Sequence, residues 1–172
     1  LSQNLGFQLI SNQPQYSMLW RVIEAEVEPT SRELGISQIV WSPVAQGVLS
    51  GKYKPGAKLP KGTRATDAKG GDQMIKRFLT EETLTAVQDL GPIAADLGLD
   101  RAQLAIAWVL RNSNVASAII GASRPEQVRT NAQAAGVTLG PDVQSAIDSV
   151  LGHLAEYDSS RTHESSPKSR ET

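Results

Sequence analysis

The sequence reads Ile36-Ser-Gln-Ile-Val-Trp41 and continues with Ser42-Pro43. The apolar and β-branched residues of the first part predict a buried strand, and the Ser-Pro pair predicts its end. Residues 7–10 and 115–120 form two similar runs, which also stop at polar or glycine-containing turns. We therefore predict three buried strands over residues 7–10, 36–41 and 115–120, each followed by a loop.

Helical patterns lie between and after these runs. Gly35 suits the C-terminal end of a helix, whereas Asp100 suits an N-cap, with Gln103 completing a capping box. Pro125 and Pro141 each suit the first helical turn, where a missing N–H costs nothing. The predicted helices span residues 23–34, 101–110, 126–135 and 142–151.

This alternation of strands and helices predicts an α/β fold with a parallel sheet. Three parallel strands alone would leave two unpaired edges, so the sequence predicts an incomplete sheet. Residues 52–71 are rich in Gly and Pro and predict a long irregular loop, which in a compact domain is more often functional than idle. We expect one domain over residues 1–155 and a disordered polar tail over 156–172.

Composition narrows the classes of function. The 17 basic and 18 acidic residues give a net charge of −1, which argues against binding to nucleic acid. With no cysteine, and with His153 and His163 as the only histidines, a metal site is not expected. The sequence shows neither a leader pattern nor an apolar run of about 20 residues, so we expect a cytoplasmic protein that does not span a membrane.

The loop that follows Trp41 carries the first candidate site. It places an aromatic ring, hydroxyls, small residues and Lys52 directly after a strand, which suits a nicotinamide joined to a pyrophosphate. The alternative interpretation is a core tryptophan and a solvated lysine. Gly47 and Gly51 are separated by three residues, not the four of a P-loop, and no G-x-G-x-x-G fingerprint is present.

The second candidate site follows the last predicted strand and reads Gly121-Ala-Ser123-Arg124-Pro-Glu-Gln127. A small-residue turn and a guanidinium at a helix N-terminus favour a phosphate, because free N–H groups and the helix dipole point toward it. The alternative is an ordinary serine-capped helix with Arg124 in solvent.

Taken together, these motifs resemble those of the aldo-keto reductases, and within them the branch that includes the potassium-channel beta subunits and related bacterial reductases. The resemblance runs from about residue 7 to residue 151. The residues that carry it are Ser11-Asn-Gln-Pro-Gln-Tyr16, Arg21, Glu24, Trp41-Ser-Pro, Gly47-Val-Leu-Ser-Gly-Lys-Tyr53, Arg64, Ala102-Gln-Leu-Ala-Ile-Ala-Trp108, Ile120-Gly-Ala-Ser-Arg-Pro-Glu-Gln127 and Asn131.

The resemblance implies the C-terminal portion of a (β/α)8 barrel, with the predicted strands as its last three and NADPH bound at their C-terminal ends. It implies that Gln13 contacts the nicotinamide amide and that Trp41 stacks on the ring. Two departures from the family pattern are Val44, where leucine is usual, and Thr130, where glutamate is common. The residues implied to bind the cofactor are Gln13, Trp41, Ser42, Pro43, Val44, Gly47, Ser50, Lys52, Arg64, Gly121, Ser123, Arg124, Gln127 and Asn131.

The catalytic Asp, Tyr, Lys and His of that family lie on earlier strands, so the resemblance assigns no catalytic residue to this chain. It implies an NADPH-dependent reductase of aldehydes or ketones, for which these residues supply the cofactor-binding half. The partner would be the N-terminal half of the barrel or another chain. The alternative is a non-catalytic NADP(H)-binding or regulatory module, which could form a homo-oligomer through its open sheet edges.

Overall fold

A computed structural model describes residues 6–69 and 71–164. Its elements are β1 Ser11–Asn12, α1 Val27–Glu33, β2 Ser37–Trp41, α2 Gly71–Ile75, α3 Glu81–Asp96, α4 Arg101–Leu110, β3 Val115–Ile119, α5 Pro125–Ala132, α6 Pro141–Leu151 and α7 Arg161–Glu164. Short 3₁₀ segments occur at Ala45–Ser50, Arg64–Thr66, Lys76–Phe78 and Gly152–Leu154. None of the helices described is both long and apolar enough to cross a bilayer.

The strands form one parallel sheet in the order β1-β2-β3. Asn12 is in register with Gln38 on one side of β2, and Trp41 is in register with Ile119 on the other. Because all strands run in the same direction, their C-terminal ends lie along one edge of the sheet. This confirms the predicted α/β class with a parallel sheet.

The first predicted strand is wrong in position. Residues 7–10 are outside any strand and β1 spans only Ser11–Asn12, although the Ile10 carbonyl accepts a hydrogen bond from Ser37 at 2.9 Å. Phe7 and Ile10 are also 56% and 72% exposed, not buried. An apolar run predicts a buried strand only when other elements cover it, and the described residues place nothing over this one.

The other two predicted strands are present as β2 and β3, but β3 is not buried as predicted, since only Val115 is buried and Ile119 is 42% exposed. The predicted helices are present with shifted ends. Helix α1 begins at Val27 rather than at residue 23, but its end is as predicted: Gly35 has φ +68° and the Ile36 N–H bonds back to the Ser31 carbonyl. At α4, Asp100 and Gln103 form the predicted reciprocal capping box. Helices α5 and α6 begin at Pro125 and Pro141.

Helix α3 was missed by the sequence analysis. Thr80 caps its first turn by accepting a hydrogen bond from the Thr83 N–H at 3.1 Å, and acidic residues follow the cap. Its buried face carries Leu84, Val87 and Leu90, at the spacing of a helix stripe. The Gly91-Pro92 pair obscured this pattern, because it is usually a sign of a helix end.

The predicted loop 52–71 contains the 3₁₀ segment Arg64–Thr66, and its last residue, Gly71, begins helix α2. The predicted disordered tail also differs at its start: Trp20 bridges to Glu156, and the Ser159 hydroxyl donates to Glu26 at 3.0 Å. Helix α7 lies within the same segment. The rest of the predicted tail, residues 165–172, lies outside the described residues.

The core lies between the sheet and helices α3, α4 and α6. Helix α4 is its centre, with Leu104 and Val109 fully buried and Trp108 only 1% exposed. Helix α4 packs against β3, against α3 and against the 3₁₀ segment Ala45–Ser50. This last contact connects the core directly to the loop after β2, which we call the β2 loop (residues 42–53).

Candidate functional site

The candidate site lies along the C-terminal edge of the sheet. Gln13 follows β1, Ser42 follows β2 and Gly121 lies two residues beyond β3. Gln15 bridges to Trp41, which joins the first of these loops to the end of β2. The parallel register therefore brings three loops, with most of the predicted cofactor-binding residues, to one edge of the sheet.

The β2 loop has an unusual backbone. Ser42, Ala45 and Gln46 have φ of +57°, +46° and +58°, and among the described residues they are the non-glycine residues with positive φ. A side chain in this left-handed region costs about 1–2 kcal/mol per residue. Strained backbone of this kind clusters at ligand sites, where the surrounding structure holds it in place.

Side chains cross-link the loop in its strained form. The Gln46 Nε2 donates a very short hydrogen bond to the Ser42 hydroxyl, and Arg64 Nη1 donates to the Gln46 Oε1 at 2.5 Å. Ser50 donates its hydroxyl to the Gly47 carbonyl at 2.7 Å. The predicted residues Ser42 and Arg64 are thus brought together through Gln46, which the sequence analysis had not singled out and which no motif marked.

The exposed Lys52 folds back over Gly47. A methyl group at Gly47, whose φ is +95°, would lie 2.8 Å from the Lys52 Nζ. The same ammonium lies 5.1 Å from the centre of the Tyr53 ring. Two cations, those of Lys52 and Arg64, therefore flank a loop whose glycine allows close approach, and this arrangement suits an anionic group.

The loop after β3 forms a second cluster. The N–H and the hydroxyl of Ser123 both donate to the Gln127 Oε1, at 2.8 and 3.1 Å. Arg124, not Ser123, is the N-cap residue of α5, and it makes no side-chain capping bond. The alternative interpretation is therefore wrong about a serine cap but right that Arg124 is exposed. An open depression next to it is lined by Ala122, Ser123, Arg124, Pro125, Val128 and Arg129.

The remaining predicted residues differ in exposure. Trp41 is half-buried, so its ring is neither wholly in the core nor free. Gln13 and Gly121 are exposed, Val44, Ser50 and Asn131 are half-buried, and Pro43 is buried. Within the described part of the chain, no cluster of three or more His, Cys, Asp or Glu side chains could hold a metal ion.

Neither Tyr16 nor Tyr53 is arranged to donate a proton to a ligand. Burial raises the pKa of Tyr16 well above its ordinary value, and its hydroxyl is committed to Glu24. The Tyr53 hydroxyl is buried and has no partner among the described residues. The site as described can bind and orient an anionic, aromatic ligand.

Comparison with known sequences identifies the family of this chain and, with it, the fold. The profile of the Aldo/keto reductase family matches residues 2–151, which contain both clusters. The chain belongs to the aldo/keto reductase family. Its sheet and helices are the C-terminal portion of the family's (β/α)8 barrel, as the sequence resemblance implied.

Relatives of this aldo/keto reductase chain include two plant proteins, each named "Probable voltage-gated potassium channel subunit beta". The one from Arabidopsis thaliana is 41% identical over 145 residues, covering 83% of this chain and 44% of the relative. The one from Oryza sativa subsp. japonica is 39% identical over 145 residues, with the same shares covered. The chain thus spans less than half the length of the curated relatives it matches.

A solved structure supports the fold. The glycerol dehydrogenase of Gluconobacter oxydans superimposes with a TM-score of 0.66 at 24% identity, over 83% of this chain and 42% of that protein. At this identity the likeness concerns the fold alone. It agrees with a chain that forms part of a barrel.

Proposed function

We propose that this chain binds NADP(H) at the C-terminal edge of its sheet and forms part of a reductase of aldehydes or ketones. The observation that carries the proposal is the strained β2 loop, flanked by the cations of Lys52 and Arg64. A backbone held in rare conformations beside two cations is the kind of structure that a phosphate ligand would stabilise.

The nicotinamide end of the cofactor would lie against the end of β2. The half-buried ring of Trp41 would stack on the nicotinamide and Gln13 would bond to its amide. The pyrophosphate would contact the β2 loop through Ser42, Pro43, Val44, Gly47, Ser50 and Lys52, with Arg64 beside them. These roles follow from the family resemblance.

The adenosine end would lie on the loop after β3. Ser123 and Gln127 already fix each other, and the exposed Arg124 guanidinium has no side-chain capping bond within its own helix. A guanidinium at a helix N-terminus suits the 2′-phosphate that distinguishes NADPH from NADH. We therefore propose NADPH as the cofactor, with Gly121 and Asn131 completing this end.

When bound, the cofactor supplies a hydride for a carbonyl carbon. In this proposal the chain's own residues orient the ring and neutralise the phosphates, and the resemblance assigns none of them the role of giving a proton to the carbonyl oxygen. That proton would come from residues outside this chain, on the N-terminal half of the barrel, whether in a longer protein or on a partner chain. A cytoplasmic location and a homo-oligomeric state belong to the same proposal.

The second candidate is a non-catalytic NADP(H)-binding subunit. It is favoured by the names of the plant relatives, which are described as potassium channel subunits. The two candidates differ once the remaining half of the barrel is supplied. Carbonyl-dependent oxidation of NADPH supports the reductase, whereas NADPH binding without turnover on a panel of aldehydes and ketones supports the subunit.

The experiment that tests cofactor binding is a titration of the purified chain with NADPH, followed by tryptophan fluorescence. We expect saturable quenching in the wild type, which Trp41→Ala removes and Trp20→Phe leaves in place. A folded chain, shown by circular dichroism, whose fluorescence does not respond to NADPH would contradict the proposal for this chain.

A further inference from the structure

Arg101 packs against the β2 loop at Gly51. It is the first residue of α4, and its side chain reaches Gly51 of the loop and Gly91 of α3. A methyl group at Gly51 would lie 2.9 Å from the Arg101 Cδ, and one at Gly91 would lie 3.0 Å from its Cζ. The guanidinium therefore occupies a slot that two glycines leave open.

The Gly91-Pro92 pair explains why the Arg101 side chain can pack against helix α3. Pro92 has no N–H, so the Gln88 carbonyl four residues earlier lacks its usual helical partner. The Arg101 Nη2 donates to this carbonyl at 3.0 Å. The arginine thus satisfies the acceptor that the proline leaves without a partner, and the glycine provides the room.

The same part of α3 holds the β2 loop. The Gln88 side-chain amide donates to the carbonyls of Gly51 and Tyr53, at 3.2 Å each. These two carbonyls belong to the residues directly before and after Lys52 in the sequence. The backbone of Gln88 contacts Arg101, and its side chain contacts the loop. The position of Lys52 therefore depends on Gln88 and on Arg101.

We propose that Arg101 is a positioning residue that holds the turn at residues 51–53 and so directs the Lys52 ammonium over Gly47. Arg101 retains a buried Nε without a hydrogen-bond partner among the described residues. A charged group with an unsatisfied buried donor costs free energy, and it persists where the contact serves another purpose. The positioning of Lys52 for a phosphate rests on the proposed cofactor site, whereas the holding of the turn does not.

The test combines two readouts on Arg101→Met, which keeps a long side chain but removes the charge and the hydrogen bond. Hydrogen exchange of the peptide over residues 47–54 should become faster, with or without cofactor. The affinity for NADPH should fall by about tenfold, as expected for one lost ionic contact, while that for adenosine 2′-monophosphate stays unchanged, because this probe lacks the pyrophosphate and is expected to contact only the loop after β3. Lys58→Met, which removes an exposed cation from the neighbouring loop, is the matched control.

A double-mutant cycle separates positioning from a general loss of stability. Gly91→Ala places a methyl group against the guanidinium, in a helix where alanine is otherwise favoured. It should loosen residues 47–54 when Arg101 is present and have no such effect in an Arg101→Ala background. Additive effects on exchange would overturn the proposal.

The outcomes for the two proposals are distinct. If the wild type binds no NADPH, the proposed cofactor site fails, and the exchange data alone decide whether Arg101 holds the turn. Unchanged exchange in Arg101→Met overturns the inference. Faster exchange together with an unchanged affinity for NADPH shows that Arg101 holds the turn without positioning Lys52, which also contradicts it.

Discussion

The Tyr16 hydroxyl donates a hydrogen bond of 2.6 Å to the Oε1 of Glu24. Arg111 donates to the same hydroxyl oxygen at 3.3 Å, and its Nη2 lies 3.9 Å from the Glu24 Oε1. The ring packs against Trp108, with centroids 5.1 Å apart. The buried phenol of Tyr16 thus connects the segment after β1 to helix α4. The protonation of this phenol is therefore coupled to folding.

The first prediction concerns alkaline pH. Burial is the main cause that raises the pKa of Tyr16; Arg111 opposes it and Glu24 adds to it. In the unfolded chain a tyrosine loses its proton near pH 10, whereas the folded chain keeps it. The folded state then binds more protons, so this contribution to stability is complete below about pH 10 and is lost as the pH rises further.

The measurement is the free energy of unfolding between pH 8 and about pH 11, in the wild type and in Tyr16→Phe. The phenylalanine variant should be less stable at pH 8, because Glu24 loses its donor, but its stability should fall less steeply at high pH. Tyr157→Phe is the control, since that phenol is 46% exposed and should change the slope less. Equal slopes in all three proteins would show that Tyr16 is not the coupled group.

The second prediction concerns Gly47. Alanine at this position must adopt φ +95° and would place its methyl group 2.8 Å from the Lys52 Nζ, so the ammonium must move. We expect a loss of stability of about 1–2 kcal/mol and a fall in NADPH affinity of about tenfold. Gly98→Ala has a similar backbone cost, with φ +68° and nothing within 4 Å, and should leave NADPH affinity unchanged.

The third prediction concerns Arg124. Its side chain is exposed, so Arg124→Ala should leave the melting temperature within error of the wild type. The affinity for NADPH should fall by about tenfold and that for NADH by much less, because NADH lacks the 2′-phosphate. Lys76→Ala, the control, removes an equal charge from an exposed position outside the depression beside Arg124. An equal loss in both variants would indicate a general charge effect and not a specific contact.

The fourth prediction concerns the start of α4. The Asp100 carboxylate accepts a hydrogen bond from the Gln103 N–H at 2.8 Å, and the Gln103 side chain accepts one from the Asp100 N–H at 2.8 Å. Asp100→Ala should destabilise the chain by about 1 kcal/mol, measured by denaturant unfolding. Asp96→Ala should be neutral or slightly stabilising, because that carboxylate lies in the last turn of α3, where the helix dipole disfavours it.

The features predicted well from the sequence are those encoded locally. The capping box at Asp100, the turn at Gly35 and the starts of α5 and α6 each depend on a few neighbouring residues, and each is present. The misplaced strand at residues 7–10 depends on distant elements, since the local pattern cannot show what covers an apolar run. Helix α3 was missed because the role of Pro92 depends on Arg101, nine residues later.

In the candidate site too, the residues marked by local motifs were predicted, whereas contacts between distant residues were not. Family motifs led to Ser42, Lys52 and Arg64, but no motif indicated that Gln46 would join two of them. The left-handed backbone of Ala45 and Gln46 was also not predictable, because neither residue type favours it. Such strain is imposed by the surrounding fold, and only a structure reveals it.

The two-residue strand β1 has a practical consequence for work with this chain. Among the described residues, β1 and β3 each pair with β2 alone, so each presents one side with free backbone groups. Phe7, Leu9 and Ile10 are exposed just before β1, and a net charge of −1 provides little repulsion between molecules. We therefore expect the purified chain to associate through its sheet edges: the apparent molar mass from light scattering should rise with protein concentration, and Ile10→Lys should suppress the rise.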